Sequence, residues 1–572
     1  MALEAITDKI VETDVLVMGG GIAGCCVAAK AANKGLKVTL AEKAKTDRSG
    51  SAAAGIDHYG NFPPRTRSFT PVDIPPEEFA GIWNGWQAAF NWEGQFTDPN
   101  ALYRLYKYGF WTLEELEKLG ITSKWHNGEY YWMPAAAAWE GAKGVLRVHW
   151  ANIKPMLAKA VRKSGVNVLE RTMVVDFLTK DGKVTGATAV NTRTGDFIVI
   201  KAKAVVAATG LFTRCYDGET PLFWKNKFRY HWCPATISGD SYAAAYRAGV
   251  ELANMDVSGF TFRMRDDLTI SFGNFVRGDG IPAKQYTWDG ERTPYLPGPA
   301  QYKEEEDRGK TPLYFSLQHL PDDFHKRMEI AFADERLVSF KIAEDRGFNP
   351  RLHRYDLMPI QSPSMHMACG INTDEYFRSS LPGLYAVGDC AAGFHNCGMA
   401  TVSALLLADD LPGFLSEFKE PVIDEAQVES QKQAALAPLS VRDGTDPIEL
   451  ESAVRYACER YAGFFKSEGK LREGLRRLGS LRRVFSPRLT AKNPHQLMRC
   501  LEVRNILDLA EVHLNAVMER KETRGSSIRL DYPEKDTSLD NIHIYQRFEN
   551  GKPVLELRKA PELKPEYIKG GK

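Results

Sequence analysis

No metal or disulfide framework is spelled out in this chain. Its nine cysteines, at positions 25, 26, 215, 233, 369, 390, 397, 458 and 500, are odd in number and form no CxxC pair. No zinc or iron-sulfur site is therefore expected from its own side chains. Cys25 and Cys26 fall where a helix should follow a glycine turn and read as small apolar filler. Twelve histidines show no HExxH or comparable spacing, which leaves no expected metal ligand set. Charge of one sign is also missing. With 74 basic and 73 acidic residues the chain has no overall field to draw in nucleic acid or an anionic membrane. No run of about 20 apolar residues and no charged-then-apolar leader stands out, so the expectation is a cytoplasmic protein without a membrane span. Internal repeats and low-complexity tracts are absent too.

What is present begins at the N-terminus. The apolar strand Asp14-Val15-Leu16-Val17-Met18 runs into Gly19-Gly20-Gly21-Ile22-Ala23-Gly24, and Lys37 to Ala41 ends on Glu42. Strand, glycine turn, small-residue helix, strand and carboxylate in that order form a dinucleotide fingerprint. Gly19 permits the tight turn, Gly21 lets the backbone approach a pyrophosphate, and Gly24 lets the helix pack on the sheet. The positive end of the helix near Ile22 favours the phosphates, while Glu42 is placed to accept from ribose hydroxyls and disfavours a 2′-phosphate.

Further along, the turn from Lys45 to Ile56 gathers small residues where a bulky cofactor could lie against the backbone. The aromatic-rich stretch 79–150 reads as mainly helical. Met173 to Leu178, Val184 to Asn191 and Asp196 to Ala202 read as strands of a small sheet. Ala204 to Gly210 is a buried strand ending in small residues, and Leu384 to Cys390 repeats that pattern. Between them, 260–362 is rich in turns, charges and aromatics and reads as an inserted cap. Helical patterns follow at 449–467 and 496–521, and the lysine-rich end from Leu555 lacks helical periodicity. With 572 residues, 44% of them hydrophobic, the chain can fill several cores. The expected organisation is a cofactor domain at 1–259 and 363–420, a cap at 260–362, a helical domain at 421–530 and a tail at 531–572.

In this order the blocks resemble the flavoprotein subunits of the succinate dehydrogenase and fumarate reductase superfamily, most closely the adenylylsulfate reductase alpha branch. Matching pieces are the fingerprint, Ala207-Ala208-Thr209-Gly210, Ser238-Gly239-Asp240, Tyr246-Arg247-Ala248-Gly249, Val276-Arg277-Gly278-Asp279-Gly280 and Gly290-Glu291-Arg292. His366 to Ile371, Gly383 to Asp389, Glu522-Thr523-Arg524 and Asp531 to Glu534 complete the set. The resemblance implies an α/β chain: a Rossmann-like FAD-binding domain, an inserted α+β capping domain and a C-terminal helical domain. It sets FAD against Gly19, Gly21, Ile22, Ala23, Gly24, Glu42, Lys43, Arg48, Ser49, Gly50, Ala54 and Gly55. Ala208, Thr209, Gly210, Asp240, Gly388, Asp389, Ser403 and Leu405 complete that expected contact set. Dehydrogenase members attach FAD through a histidine after an Arg-Ser pair; here Gly50 follows Arg48-Ser49, so the flavin is expected to be non-covalent.

Departures bear on the substrate. The family's HPT histidine falls near Thr261, the arginine of NRxGxN falls on Met399, and that of GPRD is Ala300 after Gly298-Pro299. Fumarate reduction needs cations for two carboxylates and a positioned proton donor, so a C4 dicarboxylate would be poorly held. Trp232, Arg263 and His366 agree instead with the adenylylsulfate reductase pocket. Arg263 can offer an anion a planar fork of donors, Trp232 can wall the pocket, and His366 can supply a proton. Arg277 and Asp279 match a cap loop linked to proton delivery in fumarate reductases, and equally suit a structural ion pair. Ala151 stands where that branch carries an acid, and its pocket asparagine aligns nearer Gly60 than Asn61. The resemblance thus implies an oxidoreductase subunit for a small anionic substrate, paired in a hetero-oligomer with a ferredoxin-like iron-sulfur protein. Two rivals stay open: reduction of an activated C=C bond in an unsaturated carboxylate other than a C4 dicarboxylate, and a non-catalytic electron-relay subunit.

Overall fold

The structure, a computed structural model, describes residues 3–568 except 57, 61–70, 72, 82–97, 133–144, 217–233, 235, 258, 265–283, 294–298, 323–324, 327–344, 348, 350, 363–368 and 394–395. In chain order, the elements that position the site are β1 (Lys9–Met18), α1 (Ile22–Asn33), β2 (Val38–Glu42), α2 (Ile153–Lys163), β3 (Asn167–Glu170), β4 (Thr172–Lys180), β5 (Lys183–Asn191) and β6 (Phe197–Ala207). There follow α3 (Asp240–Arg247), β7 (Gly259–Met264), β8 (Lys284–Tyr286), β9 (Tyr314–Ser316), β10 (Tyr355–Ser362), β11 (Leu384–Ala386) and α4 (Cys397–Leu415). The C-terminal part contributes α5 (Pro447–Ala462), α6 (Glu468–Ser480), α7 (Pro494–Glu519), β12 (Ile542–Glu549) and β13 (Lys552–Lys559).

The main sheet has the order β3-β2-β1-β6-β5-β4, and β11 also pairs with β6. Strands β3, β2, β1, β6 and β11 run parallel, whereas β5 runs the other way and pairs antiparallel with both β6 and β4. One edge of β6 is shared: β5 covers Phe197 to Lys201, and β11 covers Val205 to Ala207. The residues explain the covering. Val15 to Met18 are buried in succession, as in a parallel strand covered on both faces, whereas the start of β1 is partly exposed. In α1 the small residues from Ala23 to Ala31 are buried on every side, which lets the helix sit tightly against α4 and α2. Among the described residues α4 alone is long and apolar enough to cross a membrane, but 72% of it is buried inside the protein as a core helix.

The stretch read as a cap builds its own antiparallel sheet, β7-β10-β9-β8, in which β7 and β10 pair from Gly259↔Ser362 to Met264↔Leu357. In the C-terminal part, Asp446, Ser467 and Asn493 cap α5, α6 and α7 by accepting backbone N–H groups, and Pro447 and Pro494 occupy first-turn positions. The end of the chain, read above as a tail, forms the β12/β13 hairpin. Asn550 and Gly551 make its turn at φ of 53° and 76°, the conformation an Asn-Gly hairpin loop requires. Strand β12 also pairs with Leu252–Ala253, tying the hairpin back to the cofactor domain. The whole is an α/β fold with a mostly parallel nucleotide-binding sheet and a C-terminal helical domain.

Candidate functional site

A cleft opens at the carboxyl end of β1, lined by the glycine turn and by residues from seven further segments. Gly19 adopts φ 103°, and a Cβ there would sit 2.7 Å from the Ala208 carbonyl oxygen on the neighbouring strand. At Gly24 a Cβ would come within 1.8 Å of the Gly19 oxygen, so the helix can lie this close only without a side chain. Gly21 is different: a Cβ there meets nothing within 4 Å, because that face is the cleft. Gly21 caps α1 with no side-chain hydrogen bond, and the first amides of that helix are left to a ligand. An open backbone face, helix amides with no partner among the described residues and the cleft in front of them fit the pyrophosphate of a dinucleotide.

Around that turn the polar groups are held firmly. The Glu42 carboxylate is buried and accepts from the N–H groups of Gly20 and Ala44, each at 2.7 Å, yet it still lines the cleft and keeps acceptor capacity for a ribose. Lys43 also lines the cleft, but its ammonium turns away, donating to Ser238 at 2.9 Å and to Asp240 and Glu502 at 2.8 Å. Burial opposes its charge, and the two carboxylates overcome this and raise its pKa. Asp240 is likewise engaged, accepting from Lys43, Ser238 and Asn505. Glu502 joins Lys43 to Arg214 and Arg499, and Glu451 extends this buried network to α5. The two residues thus lock the cofactor domain onto the helical domain.

The small-residue turn contributes from the other side. Ser49 donates to the Gly20 oxygen at 3.1 Å, and Gly50, at φ 76°, packs so close to Gly21 that a Cβ would lie 2.9 Å from its Cα. Arg48 is exposed, and Gly55 adopts φ 100° beyond Ala54. Ala208, Thr209 and Gly210 line the cleft, with the Thr209 hydroxyl 2.7 Å from that of Ser241. Gly388 (φ 63°) is fixed by its N–H donating to Ser403 at 3.0 Å, and Asp389 lines the cleft. Burial pushes the Asp389 carboxyl up to about 6, against the N–H of Asn396. Ser403 and Leu405 are fully buried and absent from the cleft lining, so Ser403 acts through Gly388 and Leu405 is packed in the core.

Asn396 caps α4 at φ 120°, an arrangement that costs a non-glycine residue of order 1–3 kcal/mol. Met399, three residues on, is buried at 1% exposure. Arg263 lies on β7 opposite Met358 of β10. Trp232, His366, Arg277 and Asp279 lie outside the described residues. Several cleft residues escaped the sequence reading, Thr172, Met173 and Val174 from β4 and Thr236 and Ile237 before α3, as did Lys154, which is outside the lining and stands behind the glycine turn. None carries a local motif; only the fold brings them together.

The FAD binding domain family matches residues 14–263 and 298–398, together more than half of the chain, and the fumarate reductase flavoprotein C-terminal family matches residues 452–561. The chain belongs to this FAD-binding flavoprotein family and is an FAD-dependent oxidoreductase. A fumarate reductase flavoprotein subunit of Haemophilus influenzae is 22% identical over 596 residues, covering 96% of this chain and 94% of the relative. An L-aspartate oxidase of Yersinia pestis is 26% identical over 417 residues, covering 66% and 71%. Among solved structures, adenylylsulfate reductase of Archaeoglobus fulgidus superposes with a TM-score of 0.81 at 22% identity, over 98% of this chain and 97% of that one. An adenosine-5-phosphosulfate reductase in complex with sulfite as a covalent adduct gives 0.81 at 21% identity, with the same coverage. At such identities the structural likeness establishes the fold.

Proposed function

We propose that this chain is the flavoprotein subunit of an adenylylsulfate reductase-like enzyme, acting on a small anion and exchanging electrons with an iron-sulfur partner. The observation that carries the reading is Met399, buried beside the cleft residue Ala400 where fumarate reductases hold a substrate carboxylate with arginine. A thioether offers a dicarboxylate no charge, and Ala300 offers none either. Bound FAD supplies electron-pair exchange at its isoalloxazine ring, and with Gly50 at the position of the tethering histidine it is held without a covalent bond. In this reading the Arg263 guanidinium orients the anion through paired N–H donors, His366 holds or delivers the proton, and Trp232 walls the pocket. Arg277 and Asp279 are assigned to the cap loop, as a proton-delivery pair or a structural ion pair. The partner supplies the clusters for which this sequence has no ligand pattern.

A second reading, reduction of a C=C bond in an unsaturated monocarboxylate, is favoured by the fumarate reductase subunit that matches 96% of the chain. Anaerobic titrations separate the two. Adding AMP plus sulfite to oxidised holoprotein should bleach the flavin band as adenylylsulfate forms and two electrons enter the protein. If only enoates, added to the reduced protein, restore the oxidised spectrum, the second reading replaces the first. Unchanged turnover of the purified complex in Arg263→Gln and His366→Asn, with flavin retained, would leave only a relay subunit. Purification from the native source should bring down a small protein absorbing near about 400 nm.

A further inference from the structure

Lys154 stands on the first turn of α2, only 1% exposed. Its ammonium donates to the Gly20 carbonyl and to the Cys25 sulfur at 3.4 Å, and no carboxylate of a described residue lies within ion-pair distance. Cys25 is not a counter-ion, because burial raises its pKa and keeps the thiol neutral. Glu42, the acid of the same turn, accepts from the Gly20 and Ala44 N–H groups and not from Lys154. A buried ammonium without an anion is costly, and this one sits directly behind the loop that approaches the cofactor phosphates.

Geometry adds a second function. The Gly20 oxygen is drawn inward by three donors: Lys154, the Ser49 hydroxyl at 3.1 Å and the Cys25 thiol at 3.3 Å. In a trans peptide the carbonyl and the following N–H point in opposite directions, so anchoring this oxygen inward turns the Gly21 N–H outward. There a Cβ on Gly21 would meet nothing, and the N–H makes no hydrogen bond to a described residue.

We propose that Lys154 is a cofactor-positioning residue, whose buried ammonium is the counter-charge of the FAD pyrophosphate and whose hold on Gly20 aims the Gly21 N–H at that group. This rests on FAD binding alone and is independent of the substrate reading. The test uses full-length apoprotein stripped of FAD, titrated calorimetrically with ADP and with adenosine, for wild type, Lys154→Met and Lys154→Gln. Lys154→Met should weaken ADP by on the order of tenfold or more, the loss of one buried charge, and leave adenosine unchanged. Its apoprotein should melt no lower than wild-type apoprotein, so the gain in melting temperature on adding FAD shrinks. Lys154→Gln, which keeps a donor but no charge, should recover only part of the ADP affinity. Equal losses for ADP and adenosine, or a lower-melting apoprotein with unchanged ADP affinity, would reduce Lys154 to a packing residue. Full recovery in Lys154→Gln would refute the counter-charge. Should the methionine variant fail to fold, the glutamine variant decides: ADP binding equal to wild type overturns the proposal, and a loss confined to ADP sustains it.

Discussion

Replacing Lys466 with methionine should make this protein more stable, by an amount that depends on pH. Lys466 is fully buried on a short strand, Phe465–Lys466, paired with Ile528–Arg529. Among the described residues its ammonium reaches one acceptor, the Phe464 carbonyl at 3.4 Å. Burial first, and then the neighbouring Arg529 charge, depress its pKa from the ordinary 10.5 to about 7. Between those values the unfolded chain holds a proton that the native state has given up, so native stability rises with pH across the window. Each pH step there is worth about 1.4 kcal/mol, which puts the full penalty on the order of 4 to 5 kcal/mol at pH 7 and below. A methionine of similar length carries no such penalty. For 572 residues unfolding together, at about 2.1 cal/mol/K per residue, the gain amounts to roughly 3–4 °C in melting temperature. Thermal melts of holoprotein from pH 6.5 to 9.5 would show it: the variant should lead at pH 6.5 and its lead should narrow steadily towards pH 9.5. A variant no more stable at pH 6.5, or a lead independent of pH, would refute the reasoning.

Other outcomes follow from the same packing. Gly24→Ala places a carbon 1.8 Å from the Gly19 oxygen, and α1 must move to accept it; purified protein should lose most of its flavin absorbance relative to wild type. Glu502→Gln leaves Lys43, Arg214 and Arg499 short of one buried anion and should cost about 3–5 kcal/mol, read as a lower urea midpoint. Adding Lys43→Met to that variant should cost less than it does alone, since the two share one network.

The nucleotide fold was readable because its information is local. Gly19, Gly21 and Gly24 occupy three consecutive roles in one turn, and each role leaves a residue-type signature without reference to distant chain. Lys43 shows where that stops: its place after β2 was legible, but its partners, Asp240 and Glu502, come from 197 and 459 residues away. Lys154 had no signature at all, for a lysine on an amphipathic helix reads as solvated until α2 is laid beneath the turn. The C-terminal hairpin was missed differently. Asn550-Gly551 is a strong local turn signal, but the strands it joins carry many charged residues and so show little of the apolar alternation that marks a buried hairpin. Arg263, His366 and Trp232 could come only from family likeness, since a single cation, imidazole or indole carries no pattern of its own.

Gly259 and Ser362 face each other as cross-strand partners, so the excursion 260–362 departs and returns within one strand spacing, roughly 5 Å. An insertion whose two ends nearly touch can lengthen, shorten or be exchanged without shifting the register of β1, β6 or β11. Chemistry at the rim is therefore free to diverge while the nucleotide grip behind it stays fixed. A chimera that carries a related enzyme's excursion between Gly259 and Ser362 would exchange Arg263, Arg277 and Asp279 together and leave Met399 and the nucleotide grip as they are.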